Sequence, residues 1–227
     1  MGFVKISRFV FIILFFCLLI GSDPWGLLGP AEAADASTDS DASQSSVEPA
    51  ETPIAFQPFY VFSDKDSHQN HFVPSGFMPN GKCINFNDGW TQGCHDGQTC
   101  IHVQYDLQCS RRDERWAGVY WLNPANNWGH RKGGFNLTGA QKLTFWAKGE
   151  RGGEQIQEFT IGGIAGNYPD SDMITLGPVI LTPEWRQYVI DLRGKDLSYI
   201  SGGFAWVTNE NVNSDSCIFY LDEIRFE

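Results

Sequence analysis

From Phe59 onward the chain alternates apolar and polar residues in short runs, broken at close intervals by Gly, Pro, Asn and Asp. Alternation places successive side chains on opposite faces of an extended strand, and frequent turn residues fold such strands back on one another. The pattern predicts strands at 59–62, 99–105, 118–121, 142–147, 156–161, 185–191, 204–207 and 218–226. No segment of this stretch carries a convincing helical repeat. With 24 glycines and 11 prolines in the chain, an all-β, antiparallel β-sandwich is the economical architecture.

The pleat also assigns faces. In 142–148, Leu143, Phe145 and Ala147 share one face and leave Thr144, Trp146 and Lys148 on the other. In 156–161, Phe159 and Ile161 lie with Gln157, opposite Glu158 and Thr160. Apolar sets turned inward leave Trp146 and Glu158 pointing outward, and Trp185 is expected in the core. A one-residue bulge would invert either assignment.

The amino-terminal part has a different pattern. Lys5 and Arg8 precede an unbroken apolar run of 12 residues, Phe9 to Ile20, followed by Gly21-Ser22-Asp23-Pro24 and a small-residue site at Ala31-Glu32-Ala33. This order reads as a signal peptide over 1–33, with a mature start near Ala34. The run falls short of the ~20 residues that a spanning helix needs, so no membrane span is expected after cleavage. Retention of the segment as an anchor is the alternative. Residues 34–53 carry five acids, no base, and Val47 as their one large aliphatic, too little apolar surface to order a core. They read as a disordered acidic linker, followed by one folded domain at 54–227 in a secreted or periplasmic protein.

Charge and cysteines narrow the partners. The signal's charges cancel, so the net charge of −11 leaves −6 on the domain, which argues against nucleic acid and anionic membranes. A monomer is expected. Removing Cys17 with the signal leaves Cys83, Cys94, Cys100, Cys109 and Cys217. The first four lie close in sequence and predict two disulfides in an oxidising compartment, with three pairings open and Cys217 left over. A zinc site using these thiols with His95 and His102 is the alternative, although no paired C-x-x-C is present.

The densest chemistry lies at 116–149, which holds Trp116, Trp121, Trp128 and Trp146, four of the chain's eight tryptophans, among asparagines and glycines. An aromatic face stacks on the C–H face of a pyranose while amides and carboxylates bond its hydroxyls. The expected sugar contacts are Trp116, Trp121, Asn127 and Trp128, with Glu158 as polar partner and Trp206 in addition. The alternative is that these rings fill the core of the sandwich.

The carboxy-terminal runs Trp185-Arg186-Gln187-Tyr188-Val189-Ile190-Asp191-Leu192, Gly202-Gly203-Phe204 and Phe219-Tyr220-Leu221-Asp222-Glu223-Ile224, with Leu143-Thr144-Phe145-Trp146-Ala147, resemble the strands of jelly-roll carbohydrate-binding modules of the galactose-binding-like fold, including family 11. The resemblance covers roughly 59–227, and the cysteine cluster departs from a generic member. It implies a non-catalytic module for a neutral polysaccharide, such as a β-glucan or another cell-wall glycan. It also implies a structural calcium ion held by Asp222 and by the first-loop acids Asp64 and Asp66, whose hard oxygens suit Ca²⁺. Those three acids otherwise cap turns and accept backbone N–H bonds.

Two other classes remain open on the sequence. One is a structural or adhesion sandwich that meets a protein partner. The other is a small glycan-active enzyme, for which Glu154 and Glu158 are the best acid pair, since hydrolysis needs two carboxyl groups across the sugar. Asp113-Glu114 reads as a solvated charged loop, and His130 as an exposed loop histidine. No G-x-S-x-G, phosphate loop or H-E-x-x-H occurs.

Overall fold

The computed structural model describes residues 55–79, 81–109 and 115–227. The signal and linker assignments and Asp113-Glu114 lie outside the described residues. Two antiparallel sheets face each other across an apolar core, as a sandwich requires. The strands are β1 (Phe59–Phe62), β2 (Val73–Met78), β3 (Ile84–Trp90), β4 (Cys100–Tyr105), β5 (Trp116–Leu122), β6 (Lys142–Gly149), β7 (Gln155–Ile156), β8 (Glu158–Gly162), β9 (Met173–Leu176), β10 (Val179–Ile180), β11 (Arg186–Asp191), β12 (Gly202–Asn209) and β13 (Cys217–Phe226).

One sheet runs β11-β6-β13-β4-β3, with β1 also on β13; the other runs β2-β5-β12-β8-β9; β7 and β10 form a separate pair. The ten-residue β13 organises the first sheet. Its first half pairs with β4 and its last residues with β1, while β6 follows its other edge. The register slips against β6 between Asp222 and Arg225, and Glu223 takes a left-handed φ of 48° there. That bulge lets Leu221 and Ile224 both face the core.

The inward alternation holds for Leu143, Phe145 and Ala147 and for Phe159 and Ile161, all buried. The expected strand at 156–161 is divided at Gln157, whose N–H bonds the Val207 carbonyl outside the regular ladder. Trp185 departs from expectation: it is half-buried and precedes β11, with its indole N–H donating to the Gly93 carbonyl at 2.9 Å.

Cys83 bonds Cys109 and Cys94 bonds Cys100. The two bridges are nested around the β3–β4 hairpin, one at its open end and one in its connection. With these sulfurs in disulfides, the thiol–zinc alternative loses its ligands. Cys217 is free and buried. No helix among the described residues is long and apolar enough to cross a membrane.

Candidate functional site

The outer face of the β2-β5-β12-β8-β9 sheet is organised in two cross-strand rows. Gly76, Tyr120, Ala205, Thr160 and Thr175 stand in register in one, and Met78, Gly118, Val207 and Glu158 in the next. Residues in register share a face. Gly76, Gly118 and Ala205 keep the middle of that face low.

Tyr120 occupies the low ground. Its hydroxyl donates to the Gly162 carbonyl on β8 at 3.3 Å, so the ring lies along the sheet across Ala205 instead of standing upright. Burial, reinforced by the negative charges of Asp170 and Glu158, pushes this phenol up to about 12 and keeps it protonated. Trp128 meets its edge, with ring centroids 5.7 Å apart and planes at 74°. Trp128 is 41% exposed. The two rings make a corner, one face as floor and one as wall, against which a flat, C–H-rich ligand can pack.

Several contacts fix that corner. A side chain at Gly76 would meet the Trp128 ring at 2.8 Å, so glycine there lets the indole settle onto β2. Gly129 has φ +79° and lies so close to the Ala165 carbonyl that no Cβ fits. Its own carbonyl accepts a 3.0 Å bond from the Tyr168 N–H. Asn126 N–H donates to the Ser75 hydroxyl at 2.9 Å, and the Arg131 guanidinium donates to the Ala125 carbonyl at 2.7 Å.

The sequence-predicted residues divide. Trp128 and Glu158 belong to this face. Trp116 joins them, since β5 alternates without a slip from Trp116 to Tyr120, about 13 Å along the strand at ~3.3 Å per residue. Trp121 and Trp206 are corrected: both are 0% exposed in the core, and their indole N–H groups lack a hydrogen-bond partner. They serve as volume and offer a ligand no face. Asn127 is also corrected. It is 0% exposed, and its amide donates to the Arg131 carbonyl and accepts from the Arg131 N–H, bracing the loop that carries Trp128. Tyr120 was missed, although its signal was present: with Trp121 inward, its neighbour must face outward.

Glu154 and Glu158 open to different sides. Glu154 packs against Gly149 on the inner side of β6 and accepts the Arg151 N–H at 2.8 Å, whereas Glu158 lies on the outer face of β8.

At the other sheet, Asp64 and Asp222 hold two parts of one loop. Asp222 is fully buried and accepts the N–H groups of His95, Asp96 and Glu223 at 2.9, 3.1 and 2.9 Å. Burial pushes its carboxyl up to about 7, against the pull of those three N–H groups. Asp64 accepts from the Gln98 and Thr99 N–H groups and the Thr99 hydroxyl. Asp66 is exposed in the turn with φ 60°. The donors are hard oxygens of the kind calcium takes. Most are bonded to N–H, and no group of three or more His, Cys, Asp or Glu among the described residues is arranged around a metal position.

No family of known proteins matches the chain, and no curated protein matches it. Solved structures do. The fold is that of jelly-roll carbohydrate-binding modules. A family 30 carbohydrate-binding module superposes with a TM-score of 0.50 at 14% identity, over 75% of this chain and 98% of that one. The family 30 module of the cellulosomal cellulase Cel9D-Cel44B of Clostridium thermocellum gives 0.48 at 15% identity, over 75% and 97%. A family 11 module from Clostridium thermocellum, solved with a β-1,3-1,4-mixed-linked tetrasaccharide, gives 0.41 at 16% identity, over 63% and 80%. At these identities the likeness is one of fold.

Proposed function

We propose that this chain is an exported, non-catalytic carbohydrate-binding protein that takes a neutral polysaccharide, such as a β-glucan, on the outer face of the five-stranded sheet. The observation that carries the reading is the Tyr120–Trp128 corner, braced from both sides and flanked on the same face by Trp116 and Glu158. Stacking on the rings holds the sugar plane, and the Glu158 carboxylate accepts hydroxyl protons. The domain's net negative charge favours an uncharged glycan over an acidic one. Two disulfides support export, because such bridges persist in oxidising compartments.

A glycan microarray probed with the purified chain, followed by titration calorimetry on the strongest hits, tests this. Saturable binding to neutral β-linked glycans is expected. Binding to proteins but to no glycan would replace this reading with the adhesion one.

Calcium is a separate proposal, supported by the oxygen donors that Asp64 and Asp222 bring to one loop. An ion there competes with N–H donors for the same carboxylates. The expected signature is a melting temperature raised by calcium, lowered by EDTA, and insensitive to both in Asp222→Asn. Indifference in the unaltered chain ends the calcium proposal and leaves the loop N–H groups as partners of these acids.

A further inference from the structure

The opposite side of the sandwich carries a second aromatic array that none of the sequence-predicted sugar contacts touches. On the outer face of the β11-β6-β13-β4-β3 sheet, six rings form an unbroken series of contacts. Trp90 stacks on His102 with centroids 4.6 Å apart, His102 meets Tyr220 at 5.2 Å, and Tyr220 meets Trp185 at 6.4 Å. Trp185 lies 6.1 Å from His95, which stacks on Trp146 at 3.6 Å. The series follows the ladder, since Asn87, His102, Tyr220 and Lys148 stand in register across four strands, and Trp146 lies beside Gln187 in the next row.

These rings are held in place before any ligand arrives. The Trp90 and Trp185 indole N–H groups donate to the Gln92 and Gly93 carbonyls, both at 2.9 Å. The Tyr220 hydroxyl donates to Glu150 at 2.6 Å, and the Lys148 ammonium sits 4.6 Å from the Tyr220 ring and 5.3 Å from that of Trp185. The Cys94–Cys100 loop is tied to the sheet below by Asp222 and brings His95 onto Trp146. Trp90, Trp146 and Trp185 are nonetheless only half-buried, and the amide side chains of Asn87 and Gln187 are exposed around them. The charges of Lys148 and Glu150 cancel. Fixed rings and exposed amides match the chemistry of a neutral glycan, and fixed side chains lose little freedom on binding.

We infer that this face is a second glycan-binding surface, so that one chain carries two binding faces on opposite sides of the sandwich and bridges two polysaccharide strands. The inference rests on the carbohydrate-binding reading and extends it from one site to two.

The test uses the full chain with a soluble β-glucan, a soluble xylan, and hexasaccharides of each. Calorimetry with a hexasaccharide should give two ligands per chain. Trp128→Ala should reduce this to one, as should the double variant Trp90→Ala/Trp185→Ala, with circular dichroism unchanged in both. Light scattering should show the unaltered chain clustering the polysaccharide and then dispersing it at excess protein, while either variant binds without clustering. A single ligand per chain, abolished by Trp128→Ala and untouched by the double variant, overturns the second face alone. Binding abolished by the double variant and untouched by Trp128→Ala overturns bridging and moves the primary site to this sheet. No binding of either glycan by the unaltered chain overturns both readings.

Discussion

The same residue type has opposite fates within a few positions of this chain, because strand phase, not composition, decides where a ring goes. On β5, Trp116 faces outward and Trp121 inward; Trp206 on β12 also faces inward, while Trp128 stands exposed in the loop beyond β5. The tryptophan-rich segment was legible as chemistry, but which of its rings are available to a ligand depends on a pleat that sequence alone assigns one strand at a time. Replacement by alanine should separate the two groups. Trp128→Ala should abolish or greatly weaken glycan binding on its own face with an unchanged circular dichroism spectrum. Trp206→Ala should cost about 3–5 kcal/mol of stability, read by denaturant unfolding, because it empties a closed core. Equal unfolding of both variants would make Trp128 a packing residue. Cys217 gives a further residue-level expectation. Burial, with the negative charge of Glu154 beside it, pushes this thiol up to about 12. The thiolate is the reactive form, so iodoacetamide at pH 8 should leave Cys217 unmodified in the native chain and alkylate it in denaturant. Prompt native alkylation would show that the site opens.

Among the elements, those with clean alternation were foreseen, and those that break it were not. β2, Val-Pro-Ser-Gly-Phe-Met, contains two residues that read as a turn, and β3 ends in Asp-Gly-Trp for the same effect. β10 has two residues, too few to show a period, and β9, Met-Ile-Thr-Leu, carries one polar residue among three apolar ones. β13 was foreseen, but not its bulge, which depends on Glu223 adopting a positive φ without being glycine. Beside that bulge the Asp222 carboxyl is forced up from 3.8 to about 7 by burial. A group whose pKa rises on folding contributes stability that is fully present below its unfolded value and is lost as the pH climbs through its folded value. With EDTA present, stability should therefore decline between about pH 4 and pH 7, and Asp222→Asn should flatten that part of the profile. A profile of the same slope in both proteins would place its origin elsewhere, with Glu223, which burial also raises, as the next residue to replace.

Across the whole molecule, the disulfides are confined to one side. Both bridge the β3–β4 hairpin at the edge of the six-stranded sheet, whereas the five strands that carry Tyr120, Trp116 and Glu158 contain no cysteine. That two disulfides form was legible in the cysteine spacing; that they brace one face and not the other required the strand order. The Cys94–Cys100 bridge closes the loop that sets His95 on Trp146 and accepts the Trp185 indole N–H. Opening it frees that loop, while the Trp128 corner is held by Gly76, Ser75 and the 165–168 segment on the other sheet. Opening Cys83–Cys109, which spans 26 residues, and Cys94–Cys100, which spans 6, removes on the order of 3 and about 2 kcal/mol through loop entropy. Together that is a substantial fraction of the ~5–15 kcal/mol typical of a native domain, and less than the whole for all but the least stable. A window of reductant concentration should therefore exist in which circular dichroism stays native, polysaccharide clustering is lost, and hexasaccharide stoichiometry falls from two to one, with the remaining site still sensitive to Trp128→Ala. Loss of both sites at one reductant concentration, together with the native spectrum, would mean that the sheets fail as a unit and that the disulfides support the whole sandwich instead of one face.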